Sequence, residues 1–147
     1  MYKHILIPTD GSRTADKAVE AGIAFARDAN AKVTLFTAVP EYRTPCEAEI
    51  VGRKVMSLWD HERVSRDRAD AILQPLAERV RATGLQCDTA FAQSNRPHQA
   101  IVEAAERRGC DLIVMASHGR GALSELWYGS ETRKVLTHSQ IPTLVYR

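Results

Sequence analysis

Apolar positions along this chain alternate between short solid runs and stretches spaced three and four apart. Lys3-His4-Ile5-Leu6-Ile7-Pro8 is a solid run that reads as a buried strand, ending at the turn-forming Thr9-Asp10-Gly11-Ser12. Ser12 or Thr14 can cap the helix that follows. Its apolar face is Ala15, Ala18, Val19, Gly22, Ile23 and Ala26, the spacing of one helical stripe. Residues 31–39 are a β-branched run closed by Pro40, a second strand. Pro40, Pro45 and mixed charges make residues 40 to about 50 a loop, and from about 50 to 83 the chain is charged and helical in character. Pro75 interrupts that stretch, so one kinked helix and two shorter ones both fit, with Gly84 as the stop.

Residues 86–92 make the third strand, and Pro97 suits the first turn of a helix to Arg108 with Gly109 beyond it. Asp111–Ala116 is the fourth strand and the most apolar. After a glycine-bearing loop over 117–129, Ser130 is placed to cap a short helix to about Ser139, and Pro142–Tyr146 makes a fifth strand. Crossovers long enough to hold a helix join successive strands, which implies parallel pairing with both sheet faces covered. The expected fold is α/β: an open five-stranded parallel sheet, doubly wound and Rossmann-like, in a single domain over residues 1–147. Ligands of such sheets sit beyond the carboxyl ends of the strands, at the switch point. Pro8–Ser12 and Ser117–Gly119 meet that description.

Composition narrows the function. A net charge of +2 with both signs interleaved is too small for a nucleic-acid protein. No apolar run reaches the length of a signal peptide core or a membrane span, so a cytoplasmic location is expected. Cys46, Cys87 and Cys110 lack metal-knuckle or redox spacing and read as reduced thiols; the histidines have no zinc-site spacing.

The chemistry concentrates after the fourth strand, in Ala116-Ser117-His118-Gly119-Arg120-Gly121 and then Gly129-Ser130-Glu131-Thr132. Glycines at a strand end let backbone N–H groups approach an anion, and a helix N-terminus favours phosphate. Ser130 and Thr132 add hydroxyls, and Arg120 adds a charged fork. Gly119 and Gly121 equally suit a plain turn with Ser130 as a plain cap. Glu131 would satisfy the helix dipole but repel a phosphate. There is no Walker loop, and PTDGS follows strand one where a dinucleotide fingerprint would need GxGxxG.

The chain resembles the universal stress protein family over its whole length, most clearly at 1–40 and 109–147. Nucleotide-binding members carry glycine, two residues, glycine, nine residues, then glycine with serine or threonine. Here Gly119, the nine residues Arg120–Tyr128 and Gly129-Ser130 match, while Ala116 stands in the first glycine's place. The resemblance implies that Pro8, Thr9 and Asp10 form the segment in which the acid meets a ribose, and that the backbone at Ala38 recognises adenine. It implies that Met115 and Ala116 line the nucleoside side, and that Gly119, Arg120, Gly129, Ser130 and Thr132 hold phosphates. The implied ligand is ATP with Mg2+, and no catalytic residue is assigned. The implied function is a homodimeric, nucleotide-dependent regulatory switch, paired through the C-terminal strand at Thr143, Leu144 and Val145. A scaffold with an empty site and a slow ATP hydrolase are the alternatives.

Overall fold

A computed structural model describes the backbone of residues 1–41, 58–117 and 126–147. The loop expected after Pro40, the start of the charged helix near 50, and Gly119 and Arg120 lie outside the described residues. The elements alternate as β1 (His4–Pro8), α1 (Arg13–Ala29), β2 (Lys32–Val39), α2 (Leu58–Ala82), β3 (Cys87–Gln93), α3 (Pro97–Arg107), β4 (Leu112–Ala116), α4 (Leu126–His138) and β5 (Thr143–Tyr146). The five strands form one parallel sheet in the order β3-β2-β1-β4-β5. The chain therefore winds outward to β3 and crosses back, which places the switch point between β1 and β4.

Alternation of side chains along each strand sends residues to two covering layers. Ile5, Ile7, Val33, Leu35 and Val114 pack with Val19 and Ala26 of α1 and with Ala69, Leu73, Ala77 and Val80 of α2. On the opposite face Leu6, Phe36, Ile113 and Met115 pack with Ala100, Ile101 and Ala105 of α3 and with Val135 of α4. This is the doubly wound arrangement expected from the chain pattern.

Local signals account for most boundaries. Ser12 is the N-cap of α1, its hydroxyl accepting from the Ala15 N–H at 3.2 Å. Gly84 and Gly109, which follow helices α2 and α3, have φ of 85° and 65°, the left-handed region in which glycine carries no Cβ penalty. Residues 58–82 form one helix that continues through Pro75. Pro75 is exposed on its outer face, while the burial of Leu73, Leu76 and Ala77 against the sheet outweighs the lost helix bond. Ser130 differs from its expected role. Helix α4 begins at Leu126, so Gly129 and Ser130 lie inside the helix rather than opening it. A helical glycine costs about 1 kcal/mol relative to alanine. Burial of Glu131, Thr132 and Val135 in the next turn offsets that cost.

Candidate functional site

β1 delivers Pro8, Thr9 and Asp10 to the carboxyl edge of the sheet. There the Thr9 N–H still bonds the Phe36 carbonyl at 2.8 Å, extending the β1–β2 ladder by one residue. The chain then turns away. Thr9 Oγ1 accepts from the Gly11 N–H at 3.1 Å, and Asp10 Oδ1 accepts from the Ser12 N–H at 2.8 Å. These two local bonds fix the turn and leave the Asp10 carboxylate exposed at the surface while Thr9 is buried.

A cavity of about 20 Å³ opens beside this turn, lined by Pro8, Thr9, Asp10, Phe36, Ala38, Pro97, Ile101 and Glu131. That is room for about one water, so a larger ligand must occupy its mouth or part its walls. Four residues singled out in the sequence, Pro8, Thr9, Asp10 and Ala38, meet here from two adjacent strands. Met115 and Ala116 are buried on β4 outside the cavity lining. As neighbours on a strand they point to opposite faces, Met115 into the α3–α4 layer. Gly119 and Arg120 are beyond the described residues, and Gly129 and Ser130 sit in the first turns of α4.

Thr132 is committed to the interior. It is buried, and its Oγ1 donates to the Ala116 carbonyl at 3.0 Å, tying α4 to the end of β4.

Glu131 is the site residue that the sequence did not assign. Its side chain is 10% exposed and reaches the cavity. Oε2 accepts from the His98 backbone N–H at 2.8 Å and pairs with His98 Nδ1 at 2.9 Å, while Oε1 accepts from Lys134 Nζ at 2.9 Å. An ionised carboxylate only accepts, so Nδ1 of His98 carries the proton. Burial pushes the Glu131 carboxyl up, but the bonds from Lys134 and His98 outweigh it and hold the group below its ordinary value.

The geometry explains why Glu131 is there. α3 starts with Pro97, and its N-cap, Arg96, makes no side-chain capping bond. The Glu131 carboxylate supplies that cap from a neighbouring helix, satisfying a free N–H and the positive end of the α3 dipole. A proline-led helix with an arginine at its cap position was the signal that a remote acceptor was needed.

Chemically, the cavity offers an apolar slot (Phe36, Ala38, Pro97, Ile101) with two carboxylates, Asp10 and Glu131. Such a slot suits a flat or apolar body carrying hydroxyl or amino donors. Among the described residues, no cluster of histidine, cysteine and acidic side chains could hold a metal ion. Nor is any described helix long and apolar enough to cross a membrane.

Comparison with known proteins agrees with this architecture. The chain is 32% identical over 151 residues to a universal stress protein of Thermus aquaticus, covering all of both chains. It is 30% identical over 162 residues to universal stress protein MJ0577 of Methanocaldococcus jannaschii, covering all of this chain and 96% of that one. The solved structure of MJ0577 superposes with a TM-score of 0.74 over 99% of this chain and 95% of the other. A solved universal stress protein in complex with cAMP, 22% identical, shares the fold at a TM-score of 0.70 over 99% of this chain and 97% of its own. The model of the universal stress protein family matches residues 1–147, and the chain belongs to that family.

Proposed function

We propose that this chain is an adenine-nucleotide-binding regulatory protein, a single cytoplasmic domain that takes ATP with Mg2+ at the carboxyl edge of its sheet. The observation that carries the reading is the convergence of Pro8, Thr9, Asp10 and Ala38 on one cavity next to the switch point. Asp10 accepts ribose hydroxyls, the strand edge at Ala38 meets the base, and the glycine-bearing segment around Gly119 and Arg120 takes the phosphates. That a family member has been solved with cAMP supports a nucleotide in this fold.

A switch also needs something to report to. β5 is an edge strand, and Leu144 and Tyr146, on one face of it, are 41% and 43% exposed. A second copy pairing antiparallel along Thr143–Tyr146 would satisfy the open edge and cover those side chains. The cavity, at the ends of β1 and β2, then lies across β4 from the proposed dimer seam.

A melting scan with ATP and Mg2+, with GTP, and without ligand tests the binding reading. At a ligand concentration of about 100 times the dissociation constant, linkage adds about 2.7 kcal/mol. ATP should raise the midpoint by several degrees and GTP by less. No shift with ATP at millimolar concentration would favour the alternative, a scaffold that works without nucleotide.

A further inference from the structure

We propose that Glu131 makes this cleft discriminate by phosphate charge, so that adenosine and AMP are favoured over metal-free ATP and Mg2+ narrows the gap. The inference rests on the nucleotide reading above and adds a specificity residue to it.

The cleft has an unusual balance for a site that is to receive a polyphosphate. Two of its lining residues, Asp10 and Glu131, are acidic, and the other six described lining residues, Pro8, Thr9, Phe36, Ala38, Pro97 and Ile101, are uncharged. Asp10 is at the exposed rim, where water screens it. Glu131 is not: it is nine-tenths buried against an apolar wall, where charge acts over a longer range.

Nor can Glu131 swing aside. Three donors hold it, two from His98 on α3 and one from Lys134 one turn further along α4. Releasing its carboxylate would uncap α3 and strand a buried charge. Lys134 therefore has two effects, fixing the carboxylate and partly neutralising its field. His98 and His138 face each other across the α3–α4 contact, ring centroids 5.5 Å apart, and His138 Nδ1 is bonded to the Lys134 carbonyl at 2.7 Å.

The backbone does not reverse this balance at Ser130. As the fifth residue of α4, Ser130 is past the turn whose N–H groups are open to an anion. Phosphates attached to a nucleoside held at Asp10 and Ala38 therefore lie in the field of a fixed negative group, and each added phosphate charge raises the cost. The nucleoside end, with hydroxyl and amino donors, meets acceptors instead.

The test is a calorimetric titration of adenosine, AMP and ATP, each in EDTA and ATP again with Mg2+, against wild type, Glu131→Gln and Lys134→Met. Wild type should bind AMP more tightly than metal-free ATP, by on the order of five-fold at physiological salt. Glu131→Gln, which can still accept from the His98 N–H, should remove most of that ratio. Lys134→Met, which leaves the carboxylate but removes its counter-charge, should enlarge it. A residue that only clamps α3 would shift all the affinities together and leave the ratios unchanged. Unchanged ratios in both variants, or metal-free ATP binding as tightly as AMP in wild type, would overturn the proposal. If Glu131→Gln does not fold, the direction of the Lys134→Met change decides. Failure of every nucleotide to bind wild type would instead overturn the nucleotide reading beneath it.

Discussion

Replacing Thr132 by valine separates a structural hydroxyl from a phosphate-binding one. The side chain is 4% exposed, and its Oγ1 donates to the Ala116 carbonyl at 3.0 Å. Valine has the same shape but leaves that buried carbonyl without the hydroxyl, a loss of about 1–3 kcal/mol. The extra methyl returns about 0.8 kcal/mol through burial, for a net cost of about 0.2–2 kcal/mol. At roughly 2.1 cal/mol/K per residue of unfolding entropy, 147 residues give about 0.3 kcal/mol per degree. The ligand-free variant should therefore melt about 1–7 °C below wild type in differential scanning calorimetry. Its ATP-induced shift should persist, because the hydroxyl is engaged with β4 and not with the ligand. Unchanged apo stability with a lost ATP shift would refute this and return Thr132 to the phosphate site.

Gly22 lets α1 sit directly on β1: a Cβ there would fall 2.5 Å from Ile7 Cδ1. Gly22→Ala should destabilise by about 1–2 kcal/mol in urea despite alanine's better helix propensity, and by much less in an Ile7→Val background that lacks that methyl. Acid should unfold the protein through Asp111 and Glu131. Burial raises both carboxyls, yet bonds from the Lys3 and His4 N–H groups, and from Lys134 and His98, bring them below their ordinary values of 3.8 and 4.5. Stability from these groups is complete above those values and is lost as pH falls through the lower folded ones, so the melting temperature should drop below about pH 4. A midpoint independent of pH across that range would contradict it. For the proposed dimer, light scattering should find two chains in wild type and one in Leu144→Asp, whose parent side chain is exposed and outside the core; a monomeric wild type would exclude the β5 seam.

The fold was legible because parallel strands buried on both faces leave solid apolar runs, such as Leu112–Ala116, and helices leave stripes, such as Ala15 to Ala26. Pro75 was ambiguous because the decision rested on tertiary burial of Leu73, Leu76 and Ala77, which local sequence does not display. Ser130 resembles a cap because glycine and serine are common at helix starts, and local sequence does not mark the turn from Leu126 that precedes it as helical. At the cavity, Pro8, Thr9 and Asp10 were legible as the segment that follows strand one at the carboxyl edge of a doubly wound sheet, and Ala38 only through the family resemblance. Glu131 was not. Its role depends on α3 and α4 lying side by side, 33 residues apart in sequence, so that one helix caps the other.

Isothermal titration of the purified chain with Mg-ATP, in wild type and Asp10→Ala, tests nucleotide binding most directly. One nucleotide per chain with a sub-millimolar dissociation constant is expected. Loss of the ribose contact should weaken it about 10–100-fold, the worth of a hydrogen bond to a charged group. No heat of binding with Mg-ATP at millimolar concentration, or an Asp10→Ala variant that binds as tightly as wild type, would contradict the assignment of this cleft.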